Sequence, residues 1–166
     1  MIKRIAAITT MAILALTILA IAADEHPWFD FEKCEMCKNL TMIPDFMDHL
    51  HYKLVKVDNG FVAVTTADPG YVEKYKEVNV KMSEVGQKLM SGEQMYLCGS
   101  CQAMGALFMR GAKMQQGELD NGDVMVVTSD DPELVKDIHA FVDKNEAEMM
   151  KMMQEKPAEK AKEEMK

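Results

Sequence analysis

One pattern occurs twice in this chain and constrains what it can fold into. Cys34-Glu35-Met36-Cys37 returns as Cys98-Gly99-Ser100-Cys101, and Phe46-Met47 returns as Phe108-Met109. Asp58-Asn59-Gly60-Phe61-Val62-Ala63-Val64 returns as Asp120-Asn121-Gly122-Asp123-Val124-Met125-Val126, and Ala67-Asp68-Pro69 as Asp130-Asp131-Pro132. The matches keep their order at a nearly constant offset. Four matches in one order point to duplication with small insertions and deletions.

Each half reads as helix–strand–strand–helix. The Cys-x-x-Cys opens a helix with apolar positions Leu40, Ile43, Phe46, Met47 and Leu50 in the first copy, and Met104, Leu107 and Phe108 in the second. Pro44 is expected to break the first of these helices or to start its second turn. A strand over Tyr52 to Val57 follows. Asn-Gly then marks a hairpin, because type I′ turns require positive φ at both central residues. The return strands are expected at Phe61 to Thr66 and Val124 to Thr128. Asp68-Pro69 and Asp131-Pro132 start the last helix of each unit, with Asp as N-cap and Pro in the first turn. Tyr71, Val72, Tyr75 and Val78 match Leu134, Val135, Ile138 and Phe141 at helical spacing, and Gly92 ends the first of these helices. A lone hairpin is barely stable. The expected fold is therefore α+β, a tandem duplication forming one four-stranded antiparallel sheet covered by helices. One domain spans residues 24–154, with repeats at about 34–92 and 98–153. From 155 to 166 Lys, Glu and Ala dominate, which predicts a charged disordered tail or a frayed helix.

The chain has four cysteines, all in the two pairs. Four thiolates suit tetrahedral coordination of Zn²⁺, or less regularly Cu⁺. Cys34, Cys37, Cys98 and Cys101 are the expected ligands, provided that a two-fold relation between the halves brings both pairs to one point. Helix N-termini would favour their thiolate forms. The stretch between Cys37 and Cys98 is far too long for a zinc ribbon, and duplication accounts for the spacing. Three alternatives compete. Structural disulfides would suit an exported protein. Thiol–disulfide exchange could use Cys98 and Cys101, whose spacing is similar to a thioredoxin-type site, although a helix and the Gly92 turn precede it where that site follows a strand. Each pair could also bind metal on its own. A closed shell of four cysteines leaves no open position and argues against metal catalysis. No Ser-His-Asp set, phosphate loop or paired-carboxylate site stands out.

Methionine is abundant, with 17 in the chain. Core filling explains most of them, since Met fits irregular gaps, and Met47, Met104 and Met109 are expected in the core. The run Met149-Met150-Lys151-Met152-Met153 covers more than one helical face and cannot all be core; thioethers also select Cu⁺. His26, His49, His51 and His139 form no duplicated pattern and read as surface or partly buried residues. The segment from His26 to Phe31 is expected to pack on the core through Trp28 and Phe31.

Residues 1–23 read as a signal peptide. Lys3 and Arg4 precede an apolar run from Ile5 to about Leu19, and Ala20-Ile21-Ala22 supplies the small-x-small cleavage pattern. The run approaches membrane-spanning length, but its small-residue end and Asp24-Glu25 favour cleavage over anchoring. Export to a periplasmic or extracellular space is expected, with no membrane association after cleavage. The net charge of −8, with no basic stripe, argues against nucleic acid as a partner. The partner that the residues do indicate is a metal ion.

Overall fold

The computed structural model describes residues 26–163, with side chains to residue 154. The expected signal peptide therefore lies outside the described residues. Among the described residues the fold is α+β, with one four-stranded antiparallel sheet and three α-helices. The strands are β1 (Leu50–Val57), β2 (Gly60–Ala67), β3 (Lys113–Leu119) and β4 (Gly122–Thr128), and the helices are α1 (Val72–Met90), α2 (Gly99–Met109) and α3 (Pro132–Glu163). Strand order is β1-β2-β4-β3, so each hairpin contributes its return strand to the centre.

The central β2–β4 ladder has a symmetric register. Ala63 pairs with Met125, Val62 with Val126, and Gly60 with Thr128 as Gly122 does with Thr66. The flanking hydrogen bonds match in the same way. Ala67 N–H donates to Asn121 O at 2.8 Å, and Ser129 N–H donates to Asn59 O at 2.9 Å.

The Asn-Gly turns differ from expectation. Val57 pairs with Gly60 and Leu119 with Gly122, so the two-residue loops are Asp58-Asn59 and Asp120-Asn121. Among the described residues positive φ occurs only at Asp45, Gly92 and Gly111, so neither loop is type I′. Gly60 and Gly122 serve close approach instead. A Cβ on Gly60 would lie 1.9 Å from Val127 O, and one on Gly122 would lie 1.9 Å from Thr65 O. A side chain at either position would push the two hairpins apart.

All three helices pack on one face of the sheet. Leu54, Phe61, Ala63 and Val127 point into a core shared with Leu107 of α2 and with Leu134, Ile138, Phe141 and Val142 of α3. A second cluster joins Phe46 and Ala67 to Tyr75 and Val78 of α1. His139 ties α3 to the first hairpin. Its Nε2 sits 2.9 and 3.0 Å from the carbonyls of Val57 and Gly60, which places the proton on that nitrogen.

Several local expectations are corrected. The first Cys-x-x-Cys opens no α-helix; the chain forms two 3-10 turns, Cys37–Leu40 and Phe46–His49. Pro44 lacks the N–H that a helix needs, and Asp45 follows at φ +59°, which ends any helical path. The second copy has no proline there, and α2 runs unbroken. Asp131 caps α3 through a 3.0 Å bond from Glu133 N–H, whereas the Asp68 side chain makes no capping bond. Met109 is 85% exposed at the end of α2 rather than in the core. The backbone of the charged stretch is helical, with α3 continuing to Glu163; Lys, Glu and Ala are strong helix formers even without a buried face.

Gly60→Ala and Gly122→Ala are each expected to lower stability by about 1–3 kcal/mol or more through backbone overpacking. Gly86→Ala, inside α1 with nothing within 4 Å of the new Cβ, should raise it by up to about 1 kcal/mol. Denaturant unfolding of the three variants checks the contrast.

Candidate metal centre

The two Cys-x-x-Cys segments meet on the helix side of the molecule. Residues 34–37 form a turn in which Lys38 N–H donates to Cys34 O at 2.9 Å. Residues 98–101 form the matching turn at the start of α2, with Gln102 N–H donating to Cys98 O at 3.0 Å. Glu35 N–H reaches Tyr96 O at 3.0 Å and so fastens the first turn to the chain entering the second. The free N–H groups of Gly99 and Ser100 at the α2 N-terminus donate to the carbonyls of Pro27 and Trp28, at 3.0 and 2.9 Å. The segment before the first pair thus binds the second pair's helix end.

Four Sγ atoms converge there, all within 4.8 Å of one another. Cys34 and Cys101 are 3.7 Å apart; Cys37 lies 3.6 Å from both Cys98 and Cys101. A tetrahedron of sulfurs at a Zn–S distance of about 2.3 Å has edges of about 3.8 Å. A disulfide needs about 2.05 Å, so all four thiols are free. The stapled form among the alternatives is therefore not the one observed.

The site is enclosed. Cys34 and Cys98 are fully buried, Cys37 is 8% exposed, and Cys101 alone has appreciable solvent contact. Phe31, Met36, Tyr96 and Leu97 pack around them. Thiols this close share protons unequally. Cys34 is pushed toward thiolate, chiefly by its hydrogen bond with Cys101, and Cys98 is lowered to about 6, again chiefly by Cys101. Cys37 and Cys101 are pushed up, chiefly through their bonds to Cys101 and Cys34 respectively. A cation at the centre would have to displace the protons that Cys37 and Cys101 retain.

A ring of polar side chains holds the two turns. Asn39, only 5% exposed, donates through Nδ2 to the carbonyls of Glu35 at 2.8 Å and Met36 at 3.0 Å. Asn145 of α3, 4% exposed, accepts at Oδ1 from Trp28 Nε1 at 3.0 Å and from Ser100 Oγ at 2.9 Å. Asp30 accepts from the N–H groups of Glu32 and Lys33 and from Tyr96 Oη. The Lys33 N–H is the main reason its carboxyl lies below the usual range. The four cysteines singled out in the sequence lie together, and Trp28 and Phe31 pack as expected; Asn39, Asp30, Tyr96 and Asn145 were not anticipated. Only Asn39 carried a signal, as an amide just past the pair whose turn would need its carbonyls satisfied.

The histidines stand apart from the thiols. His49 Nδ1 and His51 Nε2 both engage the Asp68 carboxylate, at 2.8 and 2.9 Å, which explains why that carboxylate caps no helix. His26 lies edge-on to Tyr96, with ring centroids 4.8 Å apart. Among the described residues no helix is long and apolar enough to cross a membrane. The chain matches no family model, no curated protein and no solved structure.

The arrangement can hold one soft or borderline cation. Two irons bridged by sulfide would force the cysteine sulfurs of opposite pairs farther apart than 4.8 Å. Asn145→Ala leaves Trp28 N–H and Ser100 without their acceptor and is expected to cost about 1–3 kcal/mol, with weaker metal retention. Asn145→Asp keeps the acceptor oxygen but buries a carboxylate and loses the amide donor, so it should restore neither property fully, read by thermal melts and by metal retention against a chelator.

Proposed function

We propose that this chain is an exported metal-binding protein, holding one Zn²⁺ in a structural site made of Cys34, Cys37, Cys98 and Cys101. The observation that carries the reading is the close mutual approach of four free, largely buried sulfurs from turns far apart in sequence. Tetrahedral sulfur-only donor sets favour zinc among common ions. A closed four-ligand shell gives the ion a clamping role and leaves no position for substrate.

Two further parts of the reading rest on the sequence. Export rests on Lys3 and Arg4, the apolar run after them and Ala20-Ile21-Ala22. Tandem duplication rests on the ordered repeats, and the symmetric Ala63–Met125 register supports it. Such a register lets equivalent turns from two copies approach a common axis.

Cu⁺ for handling or sequestration is the second reading of the same four thiolates. The oxidoreductase reading is weaker. Within the Cys98–Cys101 pair the thiol with the lowered pKa, Cys98, is fully buried and offers no attack line to an outside disulfide, while the more exposed Cys101 is pushed toward the protonated form.

Native mass spectrometry of protein recovered from the cell envelope is expected to show cleavage after Ala22 or Ala23 and one zinc per chain. Each single Cys→Ser variant should lose the ion. At free zinc a thousandfold above Kd the ion contributes about 4 kcal/mol, so stripping it should lower Tm by about 10 °C or more. One copper per chain would favour the second reading. A mass two or four hydrogens light, with no metal, would sink both. Insulin reduction abolished by Cys98→Ser but not by Cys34→Ser would restore the redox reading.

A further inference from the structure

The C-terminal half of α3 carries four methionines in five residues. The core-facing part of α3 comprises Leu134, Ile138, Phe141 and Val142, and the last buried position is Asn145. Beyond it, among the described residues, the helix contributes to no buried cluster. Met150 is 58% exposed and Met153 71%, and Met149 and Met152 are half-buried. Core filling therefore does not account for them.

We propose that Met149, Met152 and Met153 form a thioether site for Cu⁺, separate from the four cysteines. The three occupy positions i, i+3 and i+4 of one helix face, with Cβ atoms about 5–6 Å apart. Each side chain has three rotatable bonds, so three sulfurs can turn to one ion without backbone movement. Thioethers are neutral and soft; they take Cu⁺ and leave Zn²⁺ to thiolate, imidazole and carboxylate. Met150 lies i, i+3 from Met153 and flanks the set on its more exposed side. Glu148 is paired with Lys151 at 2.7 Å, so charge does not select the ion here and the softness of the thioethers does.

The placement of this face gives it a relation to the metal centre. Asn145 accepts from Ser100 inside the second Cys-x-x-Cys. Met149 lies one turn farther along the same stripe, about 6 Å along the axis, and Met152 and Met153 lie about 10–12 Å along it. A thioether-bound ion would thus sit on the helix that buttresses the cysteine turn. The site does not rest on the zinc reading of the cysteines.

The test uses the full chain saturated with zinc and Cu⁺ supplied without oxygen as its bicinchoninate complex. The parent is expected to withdraw one Cu⁺. Met149→Leu/Met152→Leu/Met153→Leu, which keeps shape and helix propensity, should bind at least tenfold more weakly with zinc content and helicity unchanged. Met90→Leu, on α1, should match the parent. Equal Cu⁺ uptake by parent and triple variant overturns the proposal; it would leave the exposed methionines as a purely apolar surface. A second readout uses methyl-labelled methionine and Ag⁺ as a redox-inert probe. The first equivalent should shift the Met149, Met152 and Met153 methyl signals, and a shift confined to Met36 overturns the site by placing the ion at the cysteines. A protein found without zinc but with those three signals shifted would sink the zinc reading and support this site.

Discussion

The pairing of β2 with β4 governs the rest of the molecule. Two hairpins, each marginal alone, become one sheet through this ladder, and its register leaves no slack. Gly60 and Gly122 sit where the opposing backbone comes closest, against Val127 O and Thr65 O. A slip by one residue would turn Phe61, Ala63 and Val127 away from the helices and expose the face they fill. With the register set, the helix side is set too. The chain that precedes β1 and the chain that precedes β3 are drawn together, and their cysteines meet. The cysteine cluster is a consequence of strand pairing more than of any local motif.

Much of this was legible because it depends on short-range chemistry. Alternating apolar residues and turn residues marked the strands, helical spacing marked α1 and α3, and the paired cysteines marked the site. What failed was local conformation under tertiary demand. The Asn-Gly steps looked like type I′ turns, yet the glycines are spent on backbone proximity across the β2–β4 ladder, a long-range requirement that leaves no trace in a hairpin's own sequence. The first helix failed because Pro44 and the left-handed Asp45 act together, and only the proline is visible beforehand. Asn145 was illegible for a different reason. Its partners, Trp28 and Ser100, lie 117 and 45 residues away, and nothing near it announces a buried amide.

Burial gives the cysteine cluster its chemical character. Four thiols in contact cannot all ionise without a cation and cannot all stay neutral without losing good acceptors for their S–H groups. Their contacts push Cys34 and Cys98 toward thiolate and Cys37 and Cys101 toward the protonated form, a compromise that the packing imposes. The helix end does not relieve it alone, since the first N–H groups of α2 are already committed to Pro27 and Trp28. A divalent ion in the cluster would relieve it in part, replacing the shared protons with one central charge. The same enclosure works against disulfide exchange, which needs an accessible thiolate and a line of attack.

The two halves are not equal partners in holding that charge, and the inequality sets the direction from which an ion can arrive. The first pair is held in a 3-10 turn pinned by the buried Asn39; both of its sulfurs are inside the protein. The second pair starts an α-helix and contributes Cys101, the most exposed of the four cysteines. A cation entering the cluster would meet the more exposed Cys101 before Cys34 and Cys98, losing water as it gained sulfur. Release must run the same path backward, so the lifetime of the bound ion depends on how firmly the first turn of α2 is held. That turn is held through Ser100 by Asn145, and through Gly99 by the chain at Pro27. Loosening α3 or the segment at Trp28 would open the site on the Cys101 side and leave the Cys34–Cys37 turn in place, which makes the second half the gate and the first half the anchor.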